Sequence, residues 1–332
     1  MKILLLFILV LPLKIFSLEF SVMTYNVENL FDTNDDLNKD DKAFLPLEKI
    51  KGSKHVAACK KISVKKWREE CLNLNWNEEA KVRKIENIVT LISSFESQGP
   101  DVIALQEVEN EIVLQELLDK LRPFGYLEAV LLEGKDYRGI DSAFISKFPI
   151  LQSQLHYVKF KISSRKRDTR PILQSDINIK GSVVTFYSSH FPAPYLSSDM
   201  RQDSFNYLNE LLASNSNPSI ALGDFNVTRE EDNKLQTFKN LSKTWHVAHL
   251  EGCGKCKGTY YYEPNKDWSF LDTILISRNR GMSFNPESIN LLLEDINSYE
   301  EFRRPKSFNI STFEGVSDHF PLVAKIKFQT LN

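Results

Sequence analysis

Short apolar runs recur along this 332-residue chain, and polar or helical segments separate them. The runs are rich in Val, Ile, Phe and Tyr, and most of them end on an acid, an amide or a histidine. Between several runs the apolar residues are spaced as on a helix, which predicts helices over Glu78–Ser94, Glu111–Leu121 and Met200–Ala213. Strands interleaved with helices predict a layered α/β fold. The apolar runs are, in chain order, FSVMTYNV, DVIALQEV, DSAFIS, SVVTFYSSH, SIALGDFNV, FLDTILIS and PLVAKIKF.

The size of the chain suits one large α/β domain. A hydrophobic content of 42% supplies a sizeable core, and no internal repeat, low-complexity tract or linker divides the sequence. The formal net charge of -2 means that the protein as a whole does not attract polyanions, so that any phosphate-rich partner has to be bound by local basic patches.

The first residues, MKILLLFILVLPLKIFS, have the layout of a secretory signal. A lysine precedes an apolar run that ends on a small residue, and the run is short for a membrane span. The alternative is a buried N-terminal strand or helix. We expect a signal peptide over residues 1–17, cleavage after Ser17, a mature domain over residues 18–332, and an exported protein that is either secreted or periplasmic.

The four cysteines fall into two local pairs, Cys59 with Cys71 and Cys253 with Cys256. An oxidising compartment favours two short structural disulfides. A redox site at Cys253-Gly-Lys-Cys256 lacks the surrounding thioredoxin-like pattern, and a zinc site would need the two distant pairs to converge. Structural disulfides are therefore the expectation.

Two runs of the sequence are strongly basic. Every charged residue from Lys49 to Arg68 is Lys or Arg, which predicts a basic insert over about residues 49–71 that is pinned by its own disulfide. A second cluster runs from Lys159 to Arg170 and includes one acid, Asp168. Such runs are often only solvated faces, but two of them in an otherwise acidic protein favour a phosphate-rich partner.

Several acids, amides and histidines stand at or near the ends of the apolar runs. Each alone is explained by a turn or a helix cap. Together they are expected to meet at one edge of the fold, where open α/β sheets present their functional groups. Oxygen ligands with histidine and no thiolate suit Mg²⁺, with Mn²⁺ or Ca²⁺ as alternatives, and phosphate ester hydrolysis uses such a set. The residues are His190, Asp224, Asn226, Asp272, Asp318 and His319.

The order and spacing of six blocks resemble the signature blocks of the endonuclease/exonuclease/phosphatase superfamily, which includes DNase I-like nucleases, abasic-site endonucleases, sphingomyelinases and inositol-polyphosphate phosphatases. The resemblance implies a four-layered α/β sandwich, in which two mixed β-sheets pack face to face with helices outside and a cleft lies at one end. The blocks are TYNVENLFD, IALQEVEN, SHFPAP, LGDFN, LDTILIS and SDHFPL.

The resemblance also implies roles for the metal-binding and phosphate-binding residues. Glu107 is similar to the principal Mg²⁺ ligand, Asn26 to a neighbour that orders the metal and the phosphate, and Asp318 to a residue near the metal. Arg138 and Arg170 are further candidates for phosphate binding. Glu28 occupies a position where an acid often supports the metal region.

The remaining residues are implied to carry the proton transfers. Asp224 is similar to the residue that orients or deprotonates the attacking water, and Asn226 to its phosphate-binding partner. His319 resembles the histidine that contacts the scissile phosphate and is polarised by Asp272. His190 is similar to the second histidine of DNase I-like and sphingomyelinase-like members, where abasic-site enzymes tend to carry a tyrosine. We further expect Asp141 to hold His190.

The sequence favours a nuclease that acts on DNA or possibly RNA, because export, a second histidine and two basic runs occur together. One alternative is a sphingomyelinase-like phospholipase C, for which Tyr260, Tyr261 and Tyr262 are the candidate membrane-facing aromatics, although they could equally stack on bases or pack in the core. Another is a phosphatase for small substrates. A catalytically silent binding protein is disfavoured, because no acid or histidine of the blocks is missing.

Overall fold

The structure is a computed structural model that describes residues 16–37, 39–50, 52–161, 170–278, 280–299 and 303–330. The strands are β1 Phe16–Leu30, β2 Val102–Val108, β3 Glu128–Leu131, β4 Asp141–Ser146, β5 Ile150–His156, β6 Ile172–Ile179, β7 Ser182–His190, β8 Ser219–Asp224, β9 Trp245–Val247, β10 Tyr260–Tyr262, β11 Asp267–Ser269, β12 Asp272–Ser277, β13 Met282–Phe284, β14 Asn290–Leu291 and β15 Leu322–Thr330. The helices are α1 Leu47–Ile50, α2 Ser53–Cys59, α3 Lys65–Asn73, α4 Glu78–Ser94, α5 Glu111–Leu121, α6 Ser198–Ser214, α7 Arg229–Leu235, α8 Thr237–Leu241 and α9 Ala248–Glu251.

Two mixed sheets form the centre of the fold. The first has the order β13-β15-β1-β2-β4-β3, with β14 beside β15, and the second has the order β5-β6-β7-β8-β12-β9. Buried side chains of both sheets, such as Phe20 and Val22 from β1 and Phe186 and Ile220 from the second sheet, pack together between them. The predicted sandwich of two face-to-face sheets is confirmed.

Helices cover the outer faces of both sheets. Met23 and Tyr25 point away from the central core and pack with the apolar faces of α4 and α5. On the other side, Tyr187 and Leu275 pack with α6 and α8. Alternation along each strand thus sends one set of side chains to the central core and the other to a helix layer, which gives the four layers.

The basic insert consists of α2 and α3, joined by the Cys59–Cys71 disulfide. Cys253 and Cys256 form the second predicted disulfide. The proposed signal peptide lies mostly outside the described residues, and β1 begins at Phe16, so cleavage after Ser17 would remove Phe16 and Ser17 from this strand. Within the described part of the chain, no helix is long and apolar enough to span a membrane.

The close approach of β7 and β8 depends on Gly223, which pairs with Ser189. A Cβ atom at Gly223 would lie 2.0 Å from the Ser189 carbonyl oxygen, whereas one at Gly254 meets nothing within 4 Å. We therefore expect Gly223→Ala to force β7 and β8 apart and to destabilise the fold by about 1–3 kcal/mol or more. Gly254→Ala should leave the melting temperature unchanged. Equal melting temperatures for the two variants would show that the strands adapt without cost.

Candidate active site

The polar strand ends of the two sheets meet at one end of the sandwich. In the second sheet Asp224 pairs with His190 on the parallel strand β7 and with Asp272 on the antiparallel strand β12. Asn26, near the end of β1 in the first sheet, donates from Nδ2 to Asp224 Oδ2 at 3.1 Å. This hydrogen bond joins the sheets at the site, so residues that are far apart in the chain become neighbours.

Local departures from regular strand geometry aim two of these side chains. β2 has a register shift between Gln106 and Val108, and Glu107 between them has a φ of 66°. The Glu107 carboxylate accepts a hydrogen bond from the main-chain N of Asn29, at 3.1 Å. Asn226, which follows β8, has a φ of 55°. Bulges and left-handed backbone conformations of this kind concentrate at functional sites, where they redirect a side chain.

His319 is held in a single orientation by Asp272. His319 Nδ1 lies 2.7 Å from Asp272 Oδ2, and Thr259 Oγ1 accepts from the Asp272 main-chain N at 3.1 Å. Burial lowers the pKa of His319, but the negative charges of Asp272 and Asp318 outweigh it and raise this pKa well above its ordinary value. The raised pKa favours the doubly protonated ring, in which Nε2–H can donate to a phosphate oxygen.

His190 lies between two acids and is nevertheless neutral. Its Nε2 is 3.5 Å from Asp224 Oδ2 and 3.7 Å from Glu107 Oε1. Burial, followed by the positive charges of Arg170 and Arg138, lowers the pKa of His190 well below its ordinary value. The distances alone suggest an ion pair, but burial favours the neutral ring, which then meets these acids through Nε2 without carrying a full charge.

The prediction that Asp141 holds His190 is wrong. Asp141 Oδ1 accepts from the main-chain N of Gly134 at 3.0 Å. His190 Nδ1 is buried and finds no hydrogen-bond partner among the described residues. Asp141 is the first residue of β4, opposite Val108, and its side chain turns to the preceding loop that contains Gly134.

Asp224 is suited to accept a proton near neutral pH. Burial, and then the charge of Asp272, raise the pKa of Asp224 to about 7. Its Oδ1 accepts from the main-chain N of Asn226 at 2.9 Å, while the Asn226 amide donates to the Phe191 carbonyl at 3.1 Å. A general base works best with a pKa near the working pH, so Asp224 fits the water-activating role, and phosphate binding by Asn226 stays a prediction.

The two candidate arginines differ in their positions. The buried Arg170 guanidinium donates to the carbonyls of His190 and Phe191, at 3.1 and 2.9 Å, and its Nη1 lies 3.4 Å from Asp136 Oδ2. Arg170 therefore positions the end of β7. Arg138 is 38% exposed, 3.7 Å from Asp136 Oδ1, and its charge acts on His190. Of the two, Arg138 is the one placed to meet a substrate.

The residues expected to hold a metal provide oxygen donors at the open side of the site. The Glu107 side chain is 15% exposed and that of Asp318 is 42% exposed. Two carboxylates and an amide oxygen form a donor set that fits Mg²⁺. A different trio, Asp224, Asp272 and His319, already brings ligand atoms within 4.8 Å of one another. Because Asp272 is engaged by His319, we assign this trio to proton transfer and the outer residues to the metal.

Two residues that sequence analysis did not single out, Ser317 and Lys84, support the site, and so does Tyr260, which was named there only for membrane contact, base stacking or core packing. Ser317 Oγ donates to the Asn26 carbonyl at 2.7 Å and accepts from the main-chain N of His319 at 3.0 Å. Lys84, buried on α4, donates to the main-chain carbonyl of Glu28. The Tyr260 ring lies 5.0 Å from the His319 ring. Lys84 had a sequence signal, since it interrupts the apolar face of α4, and Ser317 directly precedes Asp318 and His319.

Glu28 positions Asp318. Its Oε2 accepts from the main-chain N of Asp318 at 3.0 Å. Burial and the neighbouring charge of Asp318 raise the pKa of Glu28 to about 8. Glu28 therefore fixes the turn that carries Asp318 and His319, and its support of a metal region stays a prediction.

The model of the Endonuclease/Exonuclease/phosphatase family matches residues 70–327. The chain belongs to this family, whose members are hydrolases that act on phosphoester bonds. The TYNVEN block lies upstream of the matched range, yet the structure brings Asn26 to the same site. No curated protein matches the chain significantly.

Solved structures of low sequence identity share the fold. An endonuclease/exonuclease/phosphatase family protein from Leptotrichia buccalis is 20% identical, with 93% of this chain and 100% of that chain covered and a TM-score of 0.56. TDP2 from Caenorhabditis elegans is 15% identical, with 94% and 74% covered and a TM-score of 0.55. A mannosyl-6-phosphatase from Bacteroides thetaiotaomicron is 16% identical, with 92% and 99% covered and a TM-score of 0.56.

Proposed function

We propose that the protein is an exported, divalent-metal-dependent nuclease that hydrolyses phosphodiester bonds of DNA or RNA. The observation that carries the choice of substrate is the basic insert, which leads through Trp76 to the loop that follows β1. Its exposed side chains combine positive charge with an aromatic ring, since Trp67 on α3 is 55% exposed. Lysines track a phosphate backbone, and an exposed aromatic ring stacks on bases. The described exposed lysines on α2, on α3 and in the loop between them are Lys54, Lys60, Lys61 and Lys65.

The insert is anchored next to the catalytic strand ends. Trp76, just after α3, donates from Nε1 to the carbonyls of Phe31 and Asp32, at 3.1 and 3.0 Å. These two residues directly follow β1, which carries Asn26. A polynucleotide bound in the site therefore has a basic surface beside it along which its flanking nucleotides can lie.

The proposed chemistry divides the work among the residues of the site. A divalent cation held by Glu107, Asn26 and Asp318 supplies charge neutralisation of the phosphoryl oxygens. Asp224 orients the attacking water and takes its proton, and Asn26 and His190 hold the Asp224 carboxylate in place. His319 hydrogen-bonds the scissile phosphate through its Nε2–H and passes this proton to the leaving oxygen as the P–O bond breaks, while Asp272 fixes the ring on its other side.

The tyrosine hairpin does not favour a lipid substrate. β10 and β11 pair in the register Tyr260 with Ser269 to Tyr262 with Asp267, and the turn between them is polar and exposed. Tyr260 packs beside His319 and Tyr261 beside Trp268, 5.2 Å between ring centroids. A hairpin that enters a membrane needs an apolar tip, and residues 263–266 at this tip are Glu, Pro, Asn and Lys. Of the three tyrosines, Tyr260 instead lies at the site, beside the His319 ring.

The test compares Trp67→Ala with wild type on a long single-stranded DNA and on a dinucleotide, with Mg²⁺ present. Stacking on one base is worth about 1–3 kcal/mol, so we expect KM for the long DNA to rise about 5-fold or more. The dinucleotide is too short to occupy the insert, and its kcat/KM should not change. Leu127→Ala, which trims a side chain that is 54% exposed elsewhere on the surface, is the matched control.

Sphingomyelin vesicles and mannose 6-phosphate are assayed in parallel. Hydrolysis of the vesicles without cleavage of DNA would replace the proposal by a lipid phosphodiesterase. Hydrolysis of the sugar phosphate alone would replace it by a small-substrate phosphatase, the activity named for the Bacteroides thetaiotaomicron relative. Cleavage of both the long DNA and the dinucleotide, with no effect of Trp67→Ala, would support nuclease activity but contradict DNA binding by the insert.

A further inference from the structure

A second group of buried carboxylates lies in the loop that follows β1. Asp32, Asp41 and Glu109 are 3%, 0% and 2% exposed. Glu109 Oε2 accepts from the main-chain N of Asp32 at 2.6 Å. Asn110 Nδ2 lies between them, 3.1 Å from Asp32 Oδ2 and 3.4 Å from Glu109 Oε2. Asp41 reaches the same loop, because its Oδ2 accepts from the main-chain N of Asp36 at 2.8 Å.

The negative charge of this group is only partly balanced by side chains: the charge of Lys42 acts on Asp41, but none of the described lysines forms an ion pair with the three carboxylates. The charged groups that act on Glu109 are themselves acids, namely Asp32, Asp36 and Asp41. The nearby lysines are turned elsewhere: Lys39 Nζ lies 3.3 Å from Glu133 Oε2, and Lys42 Nζ donates to the Lys39 carbonyl. Buried carboxylates without a partner are costly, and proteins relieve the cost with a proton or a bound cation.

One oxygen of the group lacks any partner. Asp41 Oδ1 is fully buried and receives no hydrogen bond from the described residues, although Asp41 Oδ2 is held against the loop by Asp36. A neighbouring main-chain donor would have satisfied it at no cost in charge. The unsatisfied oxygen is therefore a candidate ligand for a cation.

We propose that Asp32, Asp41 and Glu109 form a structural site for a Ca²⁺-like divalent cation, separate from the catalytic metal. The available donors are carboxylate, amide and main-chain oxygens, which Ca²⁺ accepts in flexible geometry. Asp32, Asn34 and Asp36 alternate as the first ligands of calcium-binding loops do. The three carboxylates are not among the groups whose ligand atoms already lie within 4.8 Å, so binding closes the loop around the ion.

A cation at this site would link the ends of β1 and β2, the two strands of the first sheet that carry proposed catalytic residues. Asp32 follows β1, which carries Asn26, and Glu109 directly follows β2, which carries Glu107. Trp76, at the base of the insert, donates to the Asp32 carbonyl. Cation binding is therefore expected to stabilise the loop and the root of the insert together.

Trp76 also provides a spectroscopic probe. Its ring lies beside Asp32, so Tb³⁺ bound there should emit when tryptophan is excited. The experiment titrates Tb³⁺ into the full chain as wild type, Asp41→Asn and Glu107→Gln, and then competes it with Ca²⁺. We expect saturable emission in wild type and in Glu107→Gln, at least 10-fold weaker Tb³⁺ binding in Asp41→Asn, and displacement by Ca²⁺. Equal emission from Asp41→Asn, or none from Glu107→Gln, would overturn the proposal.

Thermal unfolding provides a second readout that does not depend on Tb³⁺. In EDTA, Asp41→Asn should melt at or above the temperature of wild type, because it removes an unpaired buried charge. With Ca²⁺, Glu107→Gln should gain melting temperature, whereas the double variant Glu107→Gln/Asp41→Asn, which lacks ligands of both sites, should not. If Asp41→Asn is already less stable than wild type in EDTA, the charge of this carboxylate is balanced within the protein and the proposed site does not exist.

Discussion

Replacement of His319 by alanine is expected to lower kcat by about 10²- to 10⁴-fold, the usual contribution of a general acid or base. The ring is the donor at the centre of the site, with Nε2 4.0 Å from Asp224 Oδ2 and Nδ1 bonded to Asp272. Steady-state hydrolysis of a dinucleotide measures the effect, because its alkoxide leaving group needs a proton and the substrate is too short to reach the insert.

Two further variants separate chemistry from folding in that experiment. His319→Asn keeps a donor for Asp272 but loses the Nε2 group, so it should fold like wild type and be as inactive as His319→Ala. His156→Ala, on β5, removes a histidine whose Nε2 lies 2.8 Å from Gln174 Oε1, and it should keep its activity. Near-normal kcat in folded His319→Asn would remove His319 from the mechanism.

Replacement of Asp272 by asparagine is expected to reduce kcat by about 10²-fold or more, although Asp272 does not touch substrate. The amide cannot stabilise the charged ring of His319, whose raised pKa depends on this carboxylate. The pH profile should change as well. Asp272 helps to raise the pKa of Asp224 to about 7, so the acidic limb, where activity falls as Asp224 is protonated, should move to lower pH.

Asp267→Asn is the matched control for this change. Asp267 starts β11, close to Asp272 in sequence, but its carboxylate is 44% exposed and pairs with Arg229. This variant should keep both kcat and the pH profile. An unchanged acidic limb in Asp272→Asn would mean that the charge of Asp272 does not act on Asp224.

Helices whose ends are marked by capping residues were predicted at their correct positions. α4 and α5 occupy the predicted ranges because Asn77 and Asn110 cap them by accepting from the main-chain N atoms of Ala80 and Val113. β4 and β7 likewise match their apolar runs. Local propensity and tertiary packing agree in these segments, so the sequence alone was sufficient.

β6 was not predicted, because its sequence hides polar residues in the interior of a sheet. Ser175 and Asp176 are buried, which breaks the apolar pattern of ILQSDINI. They are accommodated by partners on neighbouring strands: Asp176 Oδ1 accepts from Thr185 Oγ1 at 2.6 Å, and Ser175 bonds Ser153. Only the pairing of strands reveals these partners, and no periodicity signals them.

The members of the site were predictable from strand ends and from the resemblance, whereas their arrangement was not. The left-handed conformation of Glu107 follows from a bulge in the pairing of β2 with β4. The contact of Ser317 with Asn26 joins residues at opposite ends of the chain. Sequence analysis predicted that Asp141 holds His190, because the sequence does not show which way the Asp141 side chain turns.

The most direct test of the proposed function is nicking of supercoiled plasmid DNA by the purified mature chain. The reactions contain Mg²⁺ or EDTA, and His319→Asn is run beside wild type. We predict nicking by wild type with Mg²⁺, none in EDTA, and loss of nicking in His319→Asn that has a native melting temperature. Nicking that persists in EDTA or in His319→Asn, or intact plasmid with wild type and Mg²⁺, would contradict a metal-dependent nuclease centred on this site.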